Sequence, residues 1–292
     1  MPTFRIHHST TYRHGGAATT SWQLLRLKPR GEENQELLDF GLELSDQPAI
    51  SERVDYFGNA VHGFTRHGAA NELVITATSR VQRGSVRKAE FDATPTLPEL
   101  RAATDQAVKE GEFKLEQFRH ESPTVPLLPE AAALADPIAG DELPALRWLE
   151  ELGRVFARDF VFDPGATTVS TPLATVLQQR RGVCQDFSHL FLSCLRQQGF
   201  AASYVSGYLL TEPPAGMPRL RGADAMHAWI SVWIPAIGWV DYDPTNQCFV
   251  ETSHIVVARG RDYTDVCPIS GVFRGGARHA LTLGVTVEEE ED

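Results

Sequence analysis

Several things are scarce or missing in this chain, and each absence narrows the possibilities. No stretch approaches the ~18 consecutive apolar residues that a membrane span requires, and Met1–His8 contains no apolar export core. Only four cysteines (Cys184, Cys194, Cys248, Cys267) occur in 292 residues, with no Cys-x-x-Cys pair and no His/Cys cluster at zinc-ligand spacing. The histidines at 7, 8, 14, 62 and 67 are scattered, without the carboxylates or thiols that would complete a metal site. No acidic cluster resembles a calcium loop. Basic residues are outnumbered, 27 against 38 acidic, for a formal charge of −11. Glu288 to Asp292 supply five of the negatives in a terminal run expected to be solvated and frayed. These absences predict a cytoplasmic protein with free thiols, no cofactor and no metal, and neither nucleic acid nor membrane as partner.

What is present is the composition of a folded protein, 42% hydrophobic and 22% charged, long enough for two modest cores. Residues 1–85 alternate apolar and polar positions in short runs: Phe4 to Tyr12, Trp22 to Leu27, Leu38 to Leu44, Val61 to Phe64 and Leu73 to Val81. Gly15-Gly16, Pro29 and Gly58-Asn59 punctuate them, which predicts a β-sandwich-like N-terminal domain. Residues 86–142 are a proline-punctuated connector with a helix over about 100–113. Residues 143–292 form the remaining unit, opening on an apolar stripe at Leu146, Leu149, Val155 and Phe156 and closing on a strand over 281–287. Thr171-Pro172 predicts a helix start that delivers the chain to Gly182.

The centre of that unit is Gly182-Val183-Cys184-Gln185-Asp186 and the helix that follows. Phe187, Leu190, Phe191, Cys194 and Leu195 repeat at helical spacing, and Gly199 ends the pattern. Cys184 therefore lies at a helix N-terminus, where free N–H groups and the helix dipole favour a thiolate. A small buried packing cysteine would look the same over this segment alone. Met226 to Trp233 and Gly238 to Thr245 read as two adjacent antiparallel strands joined by a turn through Pro235. Such a pair can hold His227 beside Asp243, with the helix presenting Cys184 to the imidazole, as nucleophilic catalysis requires. Asp241 shares the strand face of Asp243, so alternation does not separate the two. Asp224, Asp186, the 212–218 Pro/Gly loop and a wall of Trp229, Trp233 and Trp239 are further candidates for a place around the site.

Together Gly182-Val183-Cys184, Tyr204-Val205-Ser206-Gly207-Tyr208, His227-Ala228-Trp229 and Asp243-Pro244-Thr245 resemble the bacterial transglutaminase-like superfamily over about residues 145–250. The earlier region resembles the β domain that precedes such cores. The resemblance implies an α+β, papain-like core with Cys184 as nucleophile, His227 as general base and acid, and Asp243 as the orienting acid. The implied enzyme transfers acyl groups from a peptide or amide substrate to water, as a cysteine peptidase or amidase. Transfer to an amine, as a transglutaminase, and a non-catalytic peptide-binding module are the alternatives.

Overall fold

The computed structural model describes residues 1–85, 90–138, 142–211, 226–275 and 278–290. Its N-terminal region is built on two long strands, β1 (Thr3–Leu25) and β4 (Ala60–Arg83), paired antiparallel with β2 (Gln35–Leu44) and β3 (Ile50–Val54) on the far side of β4. Each long strand spans two of the runs read from the sequence. At Gly15-Gly16 the ladder does not end; it slips. Arg13 pairs with Glu72 and Ala18 with Ala70, so five positions along β1 pass two along β4. A bulge of this kind leaves pairing intact on either side while changing the twist. Leu25 and Phe64 from one half share a core with Leu73, Ile75 and Leu44 from the other, so the two halves pack against each other as one continuous sheet.

In the connector, α1 (Leu97–Lys109) starts at Thr96, whose N–H is accepted by Glu99, and α2 (Pro129–Ala132) is a single turn. Then α3 (Ala145–Asp159) buries Leu146, Trp148, Leu149, Leu152 and Phe156. A short parallel pair, β5 (Val161–Phe162) and β6 (Arg181–Gly182), flanks α4 (Leu173–Gln179). Pro172, one residue later than expected, caps α4, and Arg180 turns the chain in the left-handed region at φ 56°. The long helix α5 (Cys184–Gln197) lies across a five-stranded antiparallel sheet of β7 (Ala202–Leu209), β8 (Met226–Ile234), β9 (Gly238–Asp243), β10 (Cys248–Phe249) and β11 (His254–Gly260). Phe187, Leu190, Phe191 and Leu195 meet Tyr204, Ile230 and Tyr242 in the largest apolar cluster. Burying each such side chain contributes roughly 1.5–3 kcal/mol.

After the turn α6 (Tyr263–Val266), the chain returns to the first sheet. β12 (Ile269–Gly275) pairs with residues 18–25 of β1, and β13 (His279–Glu289) with residues 4–14. The division that kept 143–292 together is corrected here: the last two strands complete the N-terminal sheet. Strand alternation locates a strand but says nothing about its partner. The acidic end is likewise ordered through Glu290, whose carboxylate accepts from Arg5 at 2.8 Å and Arg80 at 2.8 Å.

The two sheets are joined by an apolar layer of Phe4, Ile6, Val81, Val285 and Val287 against Tyr208, Ile255 and Val257. His8, buried so that its pKa falls to about 4, bonds the Tyr208 hydroxyl at 3.0 Å. At the open edge of β11, two amide side chains take the place of a further strand. Gln35 donates to Val256 O and accepts from Val256 N–H, both at 2.8 Å. Asn59 does the same at Arg259, at 2.8 and 2.9 Å. The N–H groups of Val256 and Arg259 and the Arg259 carbonyl thereby gain partners, and Val256 O also accepts the Arg30 N–H at 3.1 Å.

Candidate active site

Cys184 is the first residue of α5. Val183 before it is extended, and its N–H donates to Asp186 Oδ2 at 2.9 Å. Thr167 Oγ1 donates to the same oxygen at 2.6 Å. Asp186 thus folds back over the helix start and is engaged there, which requires glycine at 182: a Cβ on Gly182 would lie 2.7 Å from Asp186 Oδ2. The helix end leaves the first-turn N–H groups without intrahelical acceptors beside the thiol.

His227 is the second residue of β8, opposite Gly207 on β7. Glycine is required at 207, because a Cβ there would meet Ile255 O at 2.2 Å and the Trp229 ring at 2.4 Å. Trp229 is fully buried, with its ring centroid 6.1 Å from that of His227. His227 Nε2 lies 2.6 Å from Asp243 Oδ2, and α5, which opens at Cys184, packs on β8. Burial by itself would lower the imidazole pKa; the bonds to Asp243 and Cys184 outweigh it and raise the pKa to about 10.

Asp243 has no exposed surface. Its Oδ1 accepts the backbone N–H groups of Thr245 and Asn246 at 2.9 and 3.1 Å. Its Oδ2 faces three donors: His227 Nε2, Asn246 Nδ2 at 2.7 Å and His254 Nε2 at 3.1 Å. Burial disfavours the charged form, but the bonds from His227 and His254 dominate and hold the carboxyl far below its usual range.

Asp241, two residues earlier, is bound differently. Its carboxylate accepts Trp229 Nε1–H at 3.0 Å and both terminal nitrogens of Arg259 at 3.0 Å, and Arg259 in turn pairs with Glu32 at 2.7 and 2.8 Å. It does not touch His227. Trp233 and Trp239 pair at the other end of the hairpin. Six residues of strand, ~20 Å at ~3.3 Å per residue, separate Trp233 from His227. Asp224 and the 212–218 loop lie outside the described residues.

Sequence reasoning missed Asn246 and His254. The first follows Asp243-Pro244-Thr245 directly, within reach of any turn there; the second opens an apolar strand and carries no local signal. His227, Asp243 and His254 bring three potential metal donors within 4.8 Å of one another. Their contacts of 2.6 and 3.1 Å are those of hydrogen bonds, whereas donors around a tetrahedral zinc ion at 2.0–2.1 Å stand about 3.3 Å apart. The cluster as it stands is hydrogen-bonded. A cleft of about 1320 Å³ lined by Phe91, Arg147, Cys248 and Phe249 reaches this cluster through His254.

A helix-borne cysteine on an antiparallel sheet, facing a histidine and an aspartate on neighbouring strands, has counterparts in known proteins. Residues 132–244 match the model of the transglutaminase-like superfamily, and residues 4–82 that of the bacterial transglutaminase-like N-terminal region. An uncharacterized protein of Mycobacterium tuberculosis (strain ATCC 25618 / H37Rv) is 36% identical over 98% of this chain and 91% of its own. The chain belongs to the transglutaminase-like superfamily. Within this superfamily of thiol-dependent enzymes, a protein-glutamine gamma-glutamyltransferase of Pseudomonas aeruginosa is 31% identical over 41% of this chain and 18% of its own. A solved structure of a candidate cysteine protease from Cytophaga hutchinsonii shares the fold, with a TM-score of 0.78 and 18% identity over 100% of this chain and 91% of that one. Fold class and the strand-rich N-terminal region thus agree with the transglutaminase-like expectation.

Proposed function

We propose that this protein is a cysteine peptidase or amidase working through Cys184, His227 and Asp243. The observation that supports it is the imidazole of His227, held to the buried Asp243 carboxylate at 2.6 Å on the sheet across which α5 carries Cys184 at its first position. The Cys184 sulfur attacks the amide carbonyl carbon, and the oxyanion is met by N–H groups at the start of α5. The C–N bond breaks as His227 gives its proton to the leaving amine, leaving a thioester. Water then loses a proton to His227 and attacks the thioester; the C–S bond breaks, releasing a carboxylic acid and restoring the thiol pair. Asp243 keeps the ring oriented throughout.

The P. aeruginosa relative favours a second reading, in which a primary amine replaces water as acceptor. Incubation with a peptide-amide library, with and without millimolar primary amines, separates the two by mass spectrometry. Free acid, little changed by added amine, is the expected product; a dominant amine-exchanged product assigns a transglutaminase. No turnover of any amide, with the fold intact, rejects both. Iodoacetamide near neutral pH is expected to label Cys184 before Cys194, which is buried on the inner face of α5. We also propose a cytoplasmic location, which cell fractionation with an antibody to this chain checks.

A further inference from the structure

Asp243 Oδ2 is crowded. A carboxylate oxygen has two lone pairs, yet His227 Nε2, Asn246 Nδ2 and His254 Nε2 all aim at this one, at 2.6, 2.7 and 3.1 Å. Oδ1 cannot relieve it, being held by two backbone N–H groups. His254 is itself tightly placed. It is 3% exposed, its Nδ1 is 3.2 Å from Ser253 Oγ, and its ring stands edge-on to Trp229 with centroids 5.2 Å apart. Facing a carboxylate, its Nε2 carries the proton, and Ser253 Oγ–H donates to Nδ1.

We propose that His254 is a positioning residue of the proposed reaction: by donating to the oxygen that His227 holds, it divides that oxygen's charge between two imidazoles and so sets how readily His227 releases its proton. The inference rests on the reading of Cys184, His227 and Asp243 as the reacting triad. An imidazolium alone on a buried carboxylate would be held too firmly to act as an acid toward a leaving amine. Since Asn246 and two backbone groups already fix the carboxylate's direction, the contribution left to His254 is electronic rather than orienting. Among the described residues, the other ionisable groups around the cluster include Cys184 on α5, Tyr242 and Cys248 beside Asp243 with Glu251 near the latter, and Asp241 with Arg259 behind Trp229.

The test needs no substrate. The His227 ring is titrated by nitrogen-15 NMR in histidine-labelled protein, its signal identified by loss in His227→Gln. His254→Phe keeps an aromatic ring on Trp229 but removes the donor, whereas His254→Gln restores an N–H near the same place. The expected result is an upward shift of the His227 titration by about one pH unit in the Phe variant, with the Gln variant close to wild type. A titration unchanged or lowered in a folded Phe variant overturns the proposal, because a merely structural role would free the carboxylate and lower it. If the Phe variant folds poorly, Asn246→Ala removes another donor from the same oxygen and must shift the titration upward too. Turnover of a responsive amide is followed in parallel, with a fall in kcat at constant KM expected for His254→Phe. Because the titration is read without substrate, failure of the amide assay leaves this result standing.

Discussion

Two carboxylates on one strand face, two residues apart, one partly and one fully buried, meet opposite surroundings. Asp241 is neutralised by Arg259, which is locked to Glu32 in the connection between β1 and β2. Asp243 is neutralised by imidazoles. A guanidinium keeps its proton at any pH the fold survives, so the first cluster stays ionised from neutral into alkaline pH and works as a clamp between the two regions. An imidazole can give its proton away, so the second can do chemistry. On the proposed reading, the partner's ability to titrate, more than burial of the acid, separates a structural carboxylate from a reactive one.

The comparison breaks most sharply at the proposed reacting groups. Cys184→Ala and His227→Ala are each expected to lower amide turnover by at least about 10⁴-fold without unfolding the protein. Equal turnover in either variant, followed by product analysis, would remove the reactive half of the contrast. Next come the two acids themselves. Asp243→Asn is expected to cost about 10²–10⁴-fold in kcat/KM. Asp241→Asn should leave kcat/KM within about tenfold of wild type but destabilise by about 3 kcal/mol, because Arg259 and Trp229 lose a buried partner. The reverse pattern, in kinetics and urea melts of the same two variants, would exchange the roles assigned here.

Acid and alkali sharpen the contrast further. Both carboxyls are held below their ordinary values, Asp241 because Arg259 outweighs its burial and Asp243 because two histidines do. Each therefore adds stability that is present above the unfolded carboxyl pKa and lost as pH falls through the folded one. Alkali treats them differently. The raised His227 pKa means its contribution is complete below the ordinary 6.5 and disappears as pH rises through about 10, while the Arg259 pair persists. Tm measured from pH 7 to 10 should fall less steeply in Asp243→Asn than in wild type; equal slopes would contradict the assignment. The smallest expected effect lies at the sheet junction, where Gln35→Ala uncaps Val256. A loss of about 1–2 kcal/mol in denaturant melts, with unchanged turnover, is predicted.

Local order made much of this legible. The helical spacing from Phe187 to Leu195 predicts α5 with Cys184 at its start, and alternation predicts β8 and β9 around His227 and Asp243. Those signals arise between residues a few positions apart, which the sequence contains in full. The single β1 looks like two strands in the sequence because glycines mark both a chain break and a bulge.

What the sequence determined by itself is therefore the set of elements and the residues on their faces. Tertiary structure decided three things: that β12 and β13 return to the first sheet, that Asp241 belongs to Arg259, and that His254 reaches Asp243. Glu32 and Arg259 are 227 positions apart, and β13 joins β1 from the opposite end of the chain. Partners at that separation are chosen by which surfaces can be buried together, a property of packed sheets with no counterpart in the local pattern of either segment.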